Sequence, residues 1–345
     1  MKTKLMTAVF VILFMISTGV DAELKKEALI VSGRPNPEAG PTKVQTKIWV
    51  IDIDSIDSAE QTFNANIFIG LTWKDPSLTH SGSGPVKYPL DKIWNPALQI
   101  INEARLVRKT LPETAIVQPD GTVEYRQRYV GIFSQPLKLY DFPFDQQKFR
   151  LSLIAPTYTP EKLQFVPNKK WLDKGIPYAT GITKELSLPD WKIIDLKAED
   201  SPYFITADYG NAGYALVFTA KRLVKYYLMK VILPLIFIVM MSWVVFWIDP
   251  EDSSTKIGAA ITSMLTLIAY RFAIDTQVPK VSYTTRMDEF IFMSTLIVFI
   301  SLAHVILTST LVKCNKVSTA GKVDKISRIV FPVVFFASVF LTLFN

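Results

Sequence analysis

The sequence predicts a β + α membrane protein, an extracellular antiparallel β-sandwich followed by a four-helix transmembrane bundle. Three observations carry this. Short runs that alternate apolar and polar residues, separated by turn residues, fill roughly the first 220 positions. Four long apolar runs fill the remaining 120 or so. Between the last two of these lies a lysine-rich linker, the kind of segment that stays on the cytoplasmic side.

The chain opens with MKTKLMTAVFVILFMISTGVDA. Lys2 and Lys4 precede an apolar core from Leu5 to Ile16, and Val20-Asp21-Ala22 supplies small residues at a cleavage position. This order predicts a signal peptide over residues 1–22, with an N-terminal anchor helix as the alternative. Export places the polar part outside the cytoplasmic membrane. The lone cysteine, Cys314, allows no internal disulfide. Net charge is +7, but the basic residues are scattered rather than massed in one patch, which argues against nucleic acid as a partner. Mean hydropathy is +0.24, between a soluble protein and one wholly in membrane.

Residues 23–222 are expected to form the sandwich. TKIWVIDIDSI and QTFNANIFIGLTW predict a long hairpin turning at Asp54-Ser55-Ile56-Asp57. Further strands are expected at Ala97–Val107, Thr122–Ser134, Gln147–Ile154, Trp191–Leu196 and Tyr214–Ala220. Pro119-Asp120-Gly121 marks a turn before the second of these. No amphipathic helix interrupts them, although Asp91–Trp94 has room for one turn.

Residues 223–345 are expected to hold helices at about 226–247, 254–275, 288–312 and 326–344, each able to cross a ~30 Å core. The first contains Lys230 and Pro234, the latter tolerable where neighbours satisfy the freed carbonyl. The linker KCNKVSTAGKVDK carries Lys313, Lys316, Lys322 and Lys325 against Asp324. An outside N-terminal part and four crossings put this linker inside, as the positive-inside rule requires.

The second span has an internal stripe. Gly258, Thr262, Leu265, Ala269, Phe272 and Thr276 recur at intervals of three and four and so share one helical face. Ile257, Ile261, Met264, Ile268 and Ile274 lie on the others. Such a stripe suits a pore wall, or a buried helix packed through small residues. As a pore, Leu265 and Phe272 would form apolar constrictions that close by dewetting, and the threonines would offer hydroxyls to hydrated ions.

The words themselves resemble a known family. Trp73-Lys74-Asp75-Pro76-x-Leu78, Ile93-Trp94-Asn95-Pro96, Pro119-Asp120-Gly121-Thr122-Val123 and PLKLYDFPFDQ over 136–146 fall in the order seen in pentameric ligand-gated ion channels, the Cys-loop receptor superfamily. The loop cysteines are replaced by Gln135 and Phe149, and the linker before the last span is short. Together with Phe331-Pro332-Val333-Val334-Phe335, these features resemble the bacterial branch that lacks the loop disulfide.

The resemblance implies a homopentamer in a bacterial inner membrane, multi-pass, with a periplasmic or extracellular ligand-binding domain and a pore lined by the second span. It implies Leu265 as the central gate, joined by Phe272, and Lys256 as the inner basic residue, which in this family usually points away from the pore. Glu251, Asp252 and Asp275, with Asp249, crowd the mouths and favour cations. The spacing from Phe246-Trp247 to Lys256 resembles the anion-selective type, so an anion channel stays open as the alternative. Coupling is expected through Asp57, Asp145 and Arg222, an arginine fork between two carboxylates, and through the outer linker around Pro279. An interfacial agonist pocket would use Phe68, Tyr158, Tyr203, Phe204, Tyr209 and Tyr214. Ile101 and Pro156 stand where aromatics are usual, so the box is incomplete, and an amine, carboxylate, proton or divalent cation remain open as agonists.

Catalytic and cofactor chemistry find no support. His80 sits in a Gly/Ser-rich loop, His304 sits within the third span as an expected packing residue, and no nucleophile, zinc or phosphate-loop motif is present. No metal or cofactor is implied. The competing class is a non-conducting periplasmic sensor with a membrane anchor, which lacks a cytoplasmic output domain.

Overall fold

The structure is a computed structural model that describes residues 33–204, 206 and 210–343. The expected signal peptide, Tyr209 and the end of the last span at Phe344 lie outside the described residues.

The expected long hairpin is β1 (Thr42–Asp57) and β2 (Thr62–Lys74). Strict alternation buries Val44, Ile48 and Val50 from β1 and Phe63, Ile67 and Ile69 from β2. The turn lies four residues beyond the position read from the sequence. Strand β1 continues through Asp57, whose Oδ1 accepts the Ala59 and Glu60 amides at 2.9 Å each. This local side-chain turn places the reversal at Ser58–Gln61.

The first sheet adds β3 (Val86–Pro89), β6 (Thr114–Val117) and β7 (Thr122–Ser134) in the order β10-β1-β2-β7-β6-β3, where β10 is Thr180–Ile182. The short β5 (Arg108–Lys109) also pairs with β7, and β9 (Leu163–Pro167) with β1. The second sheet orders β11 (Trp191–Asp200), β13 (Gly210–Arg222), β8 (Gln146–Ala155) and β4 (Gln99–Ile100), with β12 (Tyr203–Phe204) on β13. Among the described residues, all pairings are antiparallel except those of β9 and β10 with β1. The run expected as one strand at Ala97–Val107 yields only β4, because the Asn102 side chain bonds Ser134 O, Arg150 O and the Ser152 amide in place of a ladder.

The sheets meet through aromatic rings. Phe63 of the first sheet lies 5.4 Å from Phe149 and 5.6 Å from Phe218 of the second, and Phe149 stacks on Phe218 at 5.0 Å. Phe149 occupies the position where the resemblance expects a loop cysteine. The loop over 136–145 is tied at its base by amides. Gln147 bonds both the N–H and the carbonyl of Lys138, and Gln135 Oε1 accepts the Arg150 amide at 2.8 Å.

Among the described residues, four helices are long and apolar enough to cross a membrane: α1 (Lys225–Trp247), α2 (Ser253–Ile274), α3 (Arg286–Lys313) and α4 (Val317–Leu343). Helix α1 passes through a π-helical turn over Leu228–Ile232 just before Pro234. Proline removes one backbone donor and crowds the preceding turn. The Tyr270 hydroxyl of α2 donates to Val231 O at 2.7 Å and approaches Lys230 O at 3.3 Å, satisfying carbonyls left short.

Helix α4 begins nine residues earlier than its apolar run. The segment read as a polar linker is therefore mostly helix, and only Cys314, Asn315 and Lys316 connect α3 to α4. Ala320, Asp324 and Ser327 form its buried face at intervals of four and three. Asp324 is thus a bundle residue, not a linker residue.

Candidate functional site

The striped face of α2 stands away from its own bundle. Gly258, Thr262, Leu265, Ala269, Phe272 and Thr276 are all exposed, with Leu265 at 60% and Phe272 at 78%. Thr276 lies just past the last helical residue. The buried face is Lys256, Ala260, Ser263, Leu267 and Ile274. Helix α2 is therefore amphipathic in an unusual sense, presenting an apolar and hydroxyl face that this single chain does not cover. The Thr262 hydroxyl donates to Gly258 O at 2.8 Å, which leaves oxygen lone pairs directed outward.

Charges gather at both ends of that face. Asp252 caps the helix by accepting the Thr255 amide at 3.1 Å, and Asp249 Oδ1 accepts the Glu251 amide at 2.9 Å. These bonds hold an exposed acidic turn at the inner end. At the outer end Asp275 pairs with Lys280 at 2.8 Å, both well exposed. Pro279 helps line a cavity of about 710 Å³ with Arg271, Asp275, Asp288 and Glu289. Lys256 points the other way and is 1% exposed.

The two halves of the chain meet at the 136–145 loop. Arg222, the last residue of β13, donates from Nε to Asp145 Oδ1 at 2.8 Å and from Nη2 to Oδ2 at 3.2 Å, and both side chains are buried. The Arg222 guanidinium carbon lies 4.0 Å from the Trp191 ring centroid and 4.8 Å from that of Phe142. The expected two-carboxylate fork is not formed. The second partner of Arg222 is the Ser58 hydroxyl at 3.0 Å, while exposed Asp57 is occupied by its own turn amides. One residue of strand register separates the two.

Past this pair, the loop grips the outer linker. Tyr140 stacks on Tyr283 at 4.2 Å, and the Tyr283 hydroxyl accepts the Leu139 amide at 2.9 Å. Arg286 and Met287 amides donate to Tyr140 and Phe142 carbonyls, and the Arg286 guanidinium reaches Asp141 at 2.7 Å. The outer linker expected to take part, residues 277–283, makes these contacts through Tyr283, with Arg286 following on α3, while Pro279 lines the cavity.

Among the described aromatics expected in an agonist pocket, Tyr158 and Tyr203 meet neighbouring residues of β13, Ala212 and Asn211, whereas Phe68 lies on the first sheet. Phe68 is on the outward face of β2, opposite Arg128 of β7. Tyr203 and Phe204 are exposed on the other sheet. Tyr158 receives a 2.8 Å hydrogen bond from Trp94 Nε1. Tyr214 cannot line the pocket: it is 1% exposed, packed in the core 6.4 Å from Phe165, and burial raises its pKa to about 12. Period-two alternation with Leu216, Phe218 and Ala220 already marked it as inward.

Comparison with known proteins agrees with this arrangement. Residues 29–199 match the neurotransmitter-gated ion-channel ligand-binding domain, and residues 231–313 match the neurotransmitter-gated ion-channel transmembrane region. The chain is 28% identical over 311 residues to a proton-gated ion channel of Gloeobacter violaceus, covering 89% of this chain and 84% of that protein. It is 30% identical over 288 residues to the glycine receptor subunit beta of Homo sapiens and of Rattus norvegicus, covering 79% of this chain. It spans only 55% of the length of those receptor subunits.

Proposed function

We propose, from the premise that this chain belongs to the neurotransmitter-gated ion-channel family and is a ligand-gated ion channel, that five copies ring their α2 helices around a cation-preferring pore. The observation that carries this is the uncovered α2 face, with Leu265 at 60% and Phe272 at 78% exposure in the isolated chain. An apolar stripe of this kind needs either lipid or neighbours. Its hydroxyls and flanking carboxylates suit water and ions better than acyl chains. A closed five-fold ring of head-to-tail interfaces covers it.

In that ring Leu265 and Phe272 form the apolar constrictions, and Thr262 and Thr276 offer oxygen on the inner and outer sides of them. Glu251, Asp252 and Asp275 concentrate cations at the mouths. Buried Lys256 takes no part in the wall. The chain sits in a bacterial inner membrane with the sandwich outside.

Agonist enters between subunits, where Phe68 of one copy faces the Tyr203–Phe204 hairpin of the next. Arg128 beside Phe68 disfavours an amine and a divalent cation alike and favours a carboxylate, while a proton acts by neutralising carboxylates rather than by docking there. The names of the two kinds of relative, a proton-gated channel and a glycine receptor, fall within that range.

The test is voltage clamp on the expressed protein across pH steps, divalent cations and amino acids, with the reversal potential read under a NaCl gradient. Current that reverses near the sodium potential supports the reading. Reversal that tracks chloride overturns the cation preference, and silence under every condition, Leu265→Ser included, favours an anchored sensor.

A further inference from the structure

Lys256 lies one turn inside the inner end of α2, where five ammonium groups facing the pore would oppose the acidic turn beside them. It stands two positions before exposed Gly258, which places the two positions about 200° apart around the helix. Its Nζ meets Asp324 Oδ2 at 2.6 Å, and both side chains are 1% exposed. The other carboxylate oxygen accepts from His304 Nε2 at 3.0 Å. One residue from each of α2, α3 and α4 thus forms a buried chain of contacts. Phe246 packs edge-on against the imidazole at 4.7 Å, and Phe331 lies 6.0 Å from it. Arg328, one turn along α4, is engaged elsewhere, donating to Phe246 O at 2.9 Å. Lys322 and Lys325 are exposed. Asp324 is the carboxylate that Lys256 meets inside the bundle.

An ammonium stays in such a site only while a carboxylate faces it. Its four-carbon stem is flexible, and the nearest water is at the helix end one turn away. Without the Asp324 charge, the low-energy place for the ammonium is the inner mouth, beside Glu251 and Asp252.

We propose that Asp324, oriented by His304, is a positioning residue for ion selection. It holds Lys256 inside the bundle and keeps a ring of positive charge out of the pore. This rests on the pore reading of α2 given above.

The experiment compares sodium-to-chloride permeability ratios, from reversal potentials under a NaCl gradient, for the native channel, Asp324→Asn, Asp324→Glu and the neutral pair Lys256→Met/Asp324→Asn. Asp324→Asn is expected to lower the ratio by at least about threefold. Asp324→Glu restores it, and the neutral pair matches the native channel. A native ratio in Asp324→Asn overturns the proposal. Where Asp324→Asn does not reach the membrane, the neutral pair decides: a native ratio supports the proposal. A ratio raised by about threefold or more means that Lys256 is felt from the native pore, and overturns it. Absence of current from the native channel strikes the pore reading itself, a result distinct from any of these.

Discussion

Arg222 closes on both carboxylate oxygens of Asp145, 77 positions earlier in the chain, under the rings of Trp191 and Phe142. The pair joins the end of the last strand to the loop that presses on the membrane helices. Removing one partner of a buried pair leaves an uncompensated charge, at a cost of roughly 3–5 kcal/mol. Arg222→Ala is expected to lower the apparent melting temperature of detergent-solubilised protein steeply and to abolish agonist-evoked current. Exposed Asp57→Asn should stay within about 0.5 kcal/mol in the same melt.

Two contacts beside that pair separate by burial. The Asp141–Arg286 bridge has an exposed carboxylate, and Asp141→Asn should cost no more than about 1 kcal/mol. The Tyr283 hydroxyl accepts the amide of Leu139, a residue with no exposed surface. Tyr283→Phe leaves that donor unpaired and should cost about 1–3 kcal/mol. Melting curves and agonist concentration-response curves for the two variants give the order, and equal effects contradict it.

Tyr270 serves the broken hydrogen-bond ladder of α1 from a neighbouring helix. Tyr270→Phe keeps the ring and loses the bond to Val231 O. An interhelical bond of this kind is worth about 0.6–2 kcal/mol. The expected result is a modest loss of thermal stability, with Tyr270→Ala losing more through the missing ring.

Leu265 is the narrow apolar point of the proposed pore. Leu265→Ser puts a hydroxyl ring where water must withdraw for closure. Channels should then open without agonist or at concentrations lower by about tenfold, equivalent to ~1.4 kcal/mol of gating free energy. An unchanged response curve with normal surface expression removes Leu265 from the gate.

Asp52 and Asp54 of β1 make stability depend on pH. Burial, then the hydrogen bond and charge of Asp52, push the Asp54 carboxyl above its ordinary 3.8. Burial also opposes ionisation of Asp52, but hydrogen bonds from Ser187 outweigh it and hold that group below 3.8. A carboxyl with a raised folded pKa penalises the folded state while it is ionised, and the penalty fades as pH falls through that value. Asp54→Asn should therefore stabilise the protein at pH 7, and the difference from native should shrink toward pH 4. Asp52 acts oppositely, its contribution being present above 3.8 and lost below. Melting temperatures at a series of pH values measure both.

Much of the architecture was legible. Alternation marked the β1–β2 hairpin and β7, and four apolar runs marked the helices. The 136–146 segment carries the family resemblance in its residues alone. What alternation misses are places where a polar side chain substitutes for backbone pairing. Asn102 does so at the failed strand after Ala97, and Asp57 does so at the turn, shifting the partner of Arg222 to Ser58. Tyr214 was misplaced although its own period-two neighbours are core residues. The start of α4 was missed because KVSTAGKVDK is polar, yet its 320–324–327 spacing is helical.

Local order along the chain determined which segments are strands, which are membrane-length helices and which face of α2 carries the stripe. These follow from side-chain periods of 2 and 3.6, read within a single segment. Tertiary structure alone decided the charge partners. Lys256 and Asp324 stand 68 positions apart, and the sequence places the first at the inner end of a span and the second in a polar linker. They became a buried pair because helix packing excluded water from both, and a charge without water takes the nearest opposite charge. That is why the pore face was visible in the sequence and the residue that keeps Lys256 off it was not.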